Sequence, residues 1–207
     1  SFDDRYFAEF NFGYNGSENF SPGRRFGFFP SVALGWMISN EKFFEPLRDV
    51  VDALKIKGSY GVVGNDKIGG SRRFIYDAVY GTQGNVYQFG TNGAYVNARY
   101  LQELGNPNVS WEKSYKLNLG VELSLFNSIR LTADYFKDHR KGIFLRRDDM
   151  SSLFGMESNP YANVGEGINR GVDMSLDVTR TFGKLKLSLR GNFTFNRSEM
   201  TNDAKPK

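Results

Sequence analysis

The sequence has no cysteine, one histidine, six prolines and two tryptophans in 207 residues. Without cysteine there is no disulfide framework, no thiol chemistry and no zinc–thiolate site. A single histidine leaves little room for a histidine-based metal centre or a catalytic triad. No stretch approaches the ~20 apolar residues that a membrane helix needs. That excludes transmembrane helices but not a transmembrane barrel, whose apolar and polar faces alternate and average out. The charge excess is small, with 27 basic against 23 acidic residues, too dilute to imply a nucleic-acid partner. What is abundant is glycine, at 23 residues, and aromatics, at 15% of the chain with 19 Phe and 11 Tyr. That composition, without long runs of helix formers, points to an all-β chain.

Period two dominates. Tyr6, Ala8, Phe10, Phe12 and Tyr14 alternate with Arg5, Phe7, Glu9, Asn11 and Gly13. Successive side chains of a strand point to opposite faces, so this spacing predicts a strand with one apolar face. Similar runs follow at 26–38, 54–63, 114–125, 129–136, 172–178 and 185–196, about seven strands in a meander. Pro30 is awkward for a central strand. Phe43, Phe44, Leu47, Val50, Val51 and Leu54 stand at helical spacing, which predicts one short amphipathic helix within residues 40–53. Residues 64–112 alternate weakly and read as a long, partly ordered loop, with 74–80 and 85–89 as candidate strand extensions or hairpins.

Several strands reach the ~9–11 residues of a tilted membrane strand rather than the ~5–6 usual in globular proteins. The connections also divide by side. Those at 39–53, 126–128 and 181–184 fall at one end; those at 15–25, 64–112 and 146–163 fall at the other and are longer. Short turns on one side and long loops on the other is the pattern of an outer-membrane barrel. Tyr6, Tyr14, Trp36, Tyr60, Tyr115, Tyr135, Phe193 and Phe195 sit near expected strand ends, where interfacial girdles belong. A soluble β-sandwich that binds a carbohydrate or protein also alternates, and stays open on pattern alone.

Longer strings narrow the choice. Phe26-Gly-Phe-Phe-Pro-Ser-Val-Ala-Leu-Gly-Trp36 with Ile38-Ser39-Asn40-Glu41, and Leu54-Lys-Ile-Lys-Gly-Ser-Tyr-Gly61 ending in Gly64-Asn65-Asp66, are two of them. Others are Leu104-Gly-Asn-Pro-Asn-Val-Ser-Trp-Glu112, Ala133-Asp-Tyr-Phe-Lys137, and Asn163-Val-Gly165 leading to Asn169-Arg-Gly-Val172. Together, and in this order, they resemble the barrel of SusC/RagA-family TonB-dependent transporters. The resemblance implies an antiparallel up-and-down transmembrane β-barrel of 22 strands, of which about seven are here, with long extracellular loops and one short periplasmic helix. It implies residence in the outer membrane of Bacteroidetes-type bacteria and import of glycans or peptides. TonB would supply energy through an N-terminal part, and a SusD-like surface lipoprotein would act as lid. No plug, no TonB-contacting segment and no terminal aromatic strand signature is visible. Residues 1–207 therefore read as one partial barrel domain, a slice not expected to be stable alone, since seven strands leave two unpaired edges in lipid.

Chemistry-bearing motifs are sparse, and no enzyme activity or cofactor is expected. Gly165-Glu-Gly-Ile-Asn-Arg-Gly171 has the wrong spacing for a dinucleotide loop. His139 among charges reads as solvated, not as a metal ligand. Asp66, Asp148 and Asp149 read as solvated loop acids more simply than as calcium ligands. No G-x-S-x-G nucleophile motif occurs. The basic pairs Arg24-Arg25, Arg72-Arg73, Arg140-Lys141 and Arg146-Arg147 all map to the long-loop side. Arg forks bind phosphate well, so Arg24, Arg25, Arg72, Arg73, Arg146 and Arg147 are candidates for a collar facing lipopolysaccharide. The loop aromatics Tyr76, Tyr80, Tyr87, Phe89 and Tyr95 are candidates for stacking on substrate or packing against the lid. Trp111 reads as structural at the rim. The polar strand face, with Glu9, Lys57, Glu122, Asp134, Asp177 and Arg190 among others, would line the lumen.

Overall fold

The computed structural model describes residues 1–70, 72–90, 93–150 and 159–205, with the side chains of residues 85–87, 89 and 94 outside that description. Among these residues nine strands run β1 (Tyr6–Gly16), β2 (Phe26–Met37), β3 (Val51–Asn65), β4 (Val79–Phe89), β5 (Ala94–Glu103), β6 (Glu112–Leu125), β7 (Ile129–Arg146), β8 (Tyr161–Phe182) and β9 (Leu185–Asn202). Seven of them form one antiparallel sheet in the order β1-β2-β3-β6-β7-β8-β9. It is an up-and-down wall, not two packed layers. β4 and β5 form a separate hairpin inserted between β3 and β6.

The strands are longer than the alternation suggested, because pairing continues past the apolar band into polar sequence. β7 and β9 have 18 residues each and β8 has 22. Two short connections close hairpins at one end: residues 126–128, and residues 183–184 with Gly183 at φ +60°. A positive φ is what a two-residue hairpin turn demands, and glycine adopts it without steric cost.

The helix expected within residues 40–53 is instead two short 3₁₀ segments, Ile38–Asn40 and Lys42–Leu47, after which β3 begins at Val51. Pro46 lies inside the second segment. Proline lacks the N–H and its ring collides with the carbonyl four residues back, so an α-helix cannot extend through it. Val51 pairs with Leu125 instead, where a β-branched side chain is favoured. Of the expected helical stripe, Phe44 is buried, while Phe43, Leu47 and Val50 are exposed. The region read as a loop at 64–112 contains the β4–β5 hairpin, with β4 starting at Val79. Its alternation is weak because, among the described residues, no buried face imposes a period of two on it.

The sheet has two unlike faces. Tyr6, Ala8, Phe10, Phe12 and Tyr14 lie opposite Trp36, Leu34, Val32, Pro30 and Phe28. That apolar face continues through Ile56, Val121, Ala133 and Met174 to Phe193. Its large side chains stand free, Phe12 at 66% and Leu189 at 68% exposure. The other face carries Lys57, Glu122, Asp134, Asp173 and Arg190.

The apolar band does not follow the hydrogen-bonded rows; it slants across them. The row of Phe10 runs through Val32, Tyr60, Leu117, Lys137 and Arg170 to Arg197. Phe10 is the middle of the apolar run on β1. On β9 the run Leu185–Phe195 is centred about seven residues before Arg197, at about 3.4 Å per residue. With about 4.8 Å between neighbouring strands, that drift over six strand-to-strand steps tilts the strands about 40° from the normal to the band. Transmembrane barrels tilt their strands by ~35–45°. The slant therefore matches a membrane wall, and Tyr14, Tyr115, Tyr135 and Phe195 mark its edge on the long-loop side.

This two-faced wall has a direct test. In the full-length protein with all other cysteines removed, Leu119→Cys should react with a lipid-soluble maleimide but resist a membrane-impermeant one. Leu117→Cys and Val121→Cys, in step with it, should behave the same way, and Asn118→Cys should label least with the lipid-soluble reagent. Equal labelling of all four positions would contradict the assignment of faces.

Candidate functional site

The polar face is organised by ion pairs between neighbouring strands. Lys57 Nζ on β3 lies 2.9 Å from Glu122 Oε1 on β6 and 3.2 Å from Asp134 Oδ1 on β7. The second contact skips a strand, and Gly120 makes it possible. Gly120 pairs with both Lys57 and Asp134. A Cβ there would collide with Asp134 Oδ1 and lie 2.5 Å from Lys57 Cε. Further along the face Arg190 bonds Asp177, and Ser114 bonds Asp138. Asn169 Oδ1, also on β8, is buried and has no partner among the described residues. A surface of this kind can hydrogen-bond a second layer or a polar solute.

The short-turn end is fastened through Glu41. It accepts hydrogen bonds from Tyr6 Oη at 2.6 Å and Trp36 Nε1 at 3.1 Å, with Arg5 Nη1 at 3.6 Å. Tyr6 and Trp36 stack at 6.4 Å between centroids. The Tyr6 hydroxyl, then the Trp36 indole and the Arg5 charge, hold the Glu41 carboxyl below its ordinary range.

At the long-loop end, segments from three connections pack into a small core of Phe20, Phe29, Ile68, Ile75, Val109 and Trp111, flanked by Val62 and Phe144. Trp111 contacts Phe20 and Phe29 at centroid distances of 5.4 and 5.1 Å, and its Nε1 donates to the Arg25 carbonyl at 3.1 Å. The Asn-Pro-Asn-Val-Ser-Trp-Glu string is thus a clasp. Asn106 donates to the Tyr161 carbonyl, and Glu112 accepts from the Phe144 amide and from Asn65. Asn163 reaches back to bond Ser110 through both its amide oxygen and its amide nitrogen, and Gly142 as well.

The aromatic candidates occupy the hairpin and its approach. Tyr80 and Tyr95 are 68% and 60% exposed. Tyr76 is half-buried beside Phe74, 6.3 Å between ring centroids. The side chains of Tyr87 and Phe89 lie outside the described residues, although their backbones belong to β4. Of the described side chains, Tyr80 and Tyr95 stand on different strands of the hairpin and Tyr76 lies on its approach.

The six candidate arginines are engaged within the loops. Arg72 bonds Glu103 and the Asp77 carbonyl, and Arg73 pairs with Glu18. Arg146 pairs with Asp148 and Arg147 with Asp149, each at 2.7 Å. Arg24 donates to Asn108 and Arg25 to the Phe20 carbonyl. The acids that were candidate calcium ligands, Asp148 and Asp149, are the partners in two of these pairs. His139 is half-buried within β7, opposite Tyr115, with Nε2 3.9 Å from Glu166 Oε2.

The family model for the TonB-dependent receptor-like β-barrel matches residues 1–207. The chain belongs to the TonB-dependent receptor β-barrel family. It is 29% identical over 199 residues to TonB-dependent receptor P3 of Formosa agariphila, covering 95% of this chain and 19% of that protein. It is 28% identical over 207 residues to the TonB-dependent receptor SusC of Bacteroides thetaiotaomicron, with the same coverage of 95% and 19%. Among solved structures, the RagAB peptide importer in its open-open state superposes with a TM-score of 0.81 at 28% identity, covering 98% of this chain and 21% of that one. Its closed-closed state gives 0.79. The chain therefore spans about one fifth of the length of the curated relatives it matches. This receptor segment is outer-membrane barrel wall, as its slanted apolar band requires.

Sequence reasoning on the receptor wall did not show that four of the six arginines expected to face phosphate have carboxylate partners, and it overlooked Gly120. The signal for the latter was available: a lone glycine in the otherwise regular alternation of β6, between Lys57 and Asp134 in the register that the apolar faces dictate.

Three outcomes follow. Gly120→Ala should cost about 1–3 kcal/mol by overpacking the ion bridge, read from the unfolding midpoint of the full-length protein in detergent. Trp111→Ala should cost about 3–5 kcal/mol and make the long loops protease-sensitive. A carboxyl depressed in the folded state lends stability above its unfolded pKa and loses it as pH falls through the folded value. Acidification through and below the usual glutamate range should therefore loosen the short-turn end, and Glu41→Gln should flatten that acid limb in a stability–pH profile.

Proposed function

We propose that this chain is part of the barrel of a SusC-like TonB-dependent importer that takes up glycans or peptides across the outer membrane. The observation that carries the reading is the pairing of a lipid-type face, slanted at the tilt of a membrane barrel, with a charged opposite face. SusC and the RagAB peptide importer are relatives or neighbours of matching sequence and shape over this segment. In the whole protein the remaining strands would close the barrel, and a plug would occupy its lumen. The unpartnered Asn169 oxygen and the charged row around Lys57 would then meet the plug or passing solute. TonB would act through a part of the protein outside these residues, and a SusD-like surface lipoprotein would serve as lid. The wall itself passes solute unaltered and performs no chemistry on it.

The β4–β5 hairpin is the part of this segment suited to the lid or the substrate. It projects from the strand ends, and Tyr80 and Tyr95 present rings to solvent that could pack on a lipoprotein or stack on a sugar or peptide.

Growth of the source bacterium with a glycan mixture or an oligopeptide mixture as sole nutrient tests the importer reading. Loss of the gene should abolish growth on one of the two, and the intact gene should restore it. Removal of Val79–Glu103 should leave the barrel assembled but reduce uptake, lid co-purification, or both. If both are unchanged, the hairpin has neither role.

A further inference from the structure

The outward face changes character abruptly at its long-loop edge. On four consecutive strands, the first outward residue beyond the apolar band is a cation. Lys113 lies past Tyr115 on β6, Lys137 past Tyr135 on β7, Arg170 past Val172 on β8, and Arg197 past Phe195 on β9. The register sets Lys137, Arg170 and Arg197 directly opposite one another, and Lys113 opposite Lys141. All five are exposed, and none is in an ion pair among the described residues.

Like charges directly opposite on neighbouring strands destabilise a sheet. On the polar face Asp134 and Asp173 also stand opposite one another, and there Lys57 lies 3.2 Å from Asp134 as counter-charge. On the polar face Lys57 is answered by Glu122 and Asp134, and Arg190 by Asp177. In the loops Arg72, Arg73, Arg146 and Arg147 each have a carboxylate. The acids on the outward face are Glu166, opposite Lys141 and near His139, and Glu199, opposite Ile168. Both lie beyond the Lys137–Arg170–Arg197 row, toward the loops. The row therefore lacks a counter-charge of its own, over about 10 Å at ~4.8 Å per strand.

Its height identifies the missing anion. Directly below it are Tyr135, Val172 and Phe195, the last residues of the band that meets hydrocarbon, and the row is on the long-loop side, which faces outward in this architecture. The anions at that level are the phosphates of the outer-leaflet lipid. Guanidinium forks match phosphate oxygens bidentately, and lysine adds a point charge. We propose that Lys137, Arg170 and Arg197, assisted by Lys113 and Lys141, form a phosphate-binding row on the lipid-facing wall that holds a phosphorylated glycolipid of the outer leaflet. Its acyl chains would lie along Tyr135, Val172, Met174 and Phe193. The proposal rests on the outer-membrane barrel reading, and it moves phosphate recognition from the loop arginines to the strands.

The test uses the full-length protein purified from outer membranes in mild detergent, with retained lipid A counted per polypeptide by mass spectrometry. K137Q/R170Q/R197Q should lower retention at least five-fold. R24Q/R25Q/R146Q/R147Q should leave it unchanged, and the charge-preserving K137R/R170K/R197K should keep most of it. Wild-type retention by the glutamine triple, in a barrel still found in the outer membrane, overturns the proposal alone. Absence of the wild-type protein from that fraction overturns the barrel reading and this proposal with it. Should the triple variant fail to assemble, delipidated wild-type protein titrated by native mass spectrometry decides. Binding of phosphorylated lipid A in preference to its dephosphorylated form supports the row. Equal binding of the two forms, or inorganic phosphate competing at equal concentration, overturns the assignment to lipid.

Discussion

A peptide group in hydrocarbon finds no water, and leaving its N–H or C=O unbonded costs several kcal/mol, of order ~5. Every other property of this wall follows from meeting that demand with strand pairing. The seven strands therefore align row by row without a bulge inside the apolar band, and the one ladder that stops short within it is β2–β3, which ends at Ser31–Gly61 beside Pro30, a residue with no N–H to donate. Register shifts are confined to its margins, near Val51, Lys141 and Glu166. The same demand gives β1 and β9 each an edge that needs a partner strand.

Because pairing fixes the rows and lipid fixes the band, the angle between them belongs to the protein as a whole and not to any residue. The drift from Phe10 on β1 to the middle of Leu185–Phe195 on β9 records it. Both ends are then locked by side chains. Glu41 gathers Tyr6, Trp36 and Arg5 below the band, and Trp111, Asn163 and Glu112 fasten the loops above it. Across the middle, Lys57 ties three strands together over the gap at Gly120.

Legibility in the sequence followed the strength of the solvent boundary. Where one face meets lipid, as along Tyr115–Leu125 or Leu185–Phe195, alternation named the strand and its outward residues. Where both faces see water, as in the β4–β5 hairpin, no boundary imposed a period and the segment read as loop. The apolar stripe at 43–54 resembled a helix because its spacing is helical; Pro46 and the pull of β6 on Val51 decided otherwise. The cations beyond the band were visible one by one, but only the register revealed that Lys137, Arg170 and Arg197 face each other. The loop arginines drew attention by standing in pairs, and their acidic partners were two residues away for Arg146 and Arg147 but far along the chain for Arg72 and Arg73.

The insertion between β3 and β6 has a bearing on how such walls assemble and diversify. Asn65 and Glu112, which bound it, are register partners, so the chain leaves and re-enters the sheet at one point. The five other neighbouring pairs in the sheet join strands consecutive in the chain, over connections that are shorter still. β3 and β6 must wait for a 46-residue excursion to return, making this the slowest seam to zip. Yet doubling such an excursion adds only about 0.6 kcal/mol of closure entropy. A different surface hairpin could therefore be exchanged at this joint at small thermodynamic cost. The wall would keep its register, and new outer-surface specificities could evolve on an old frame.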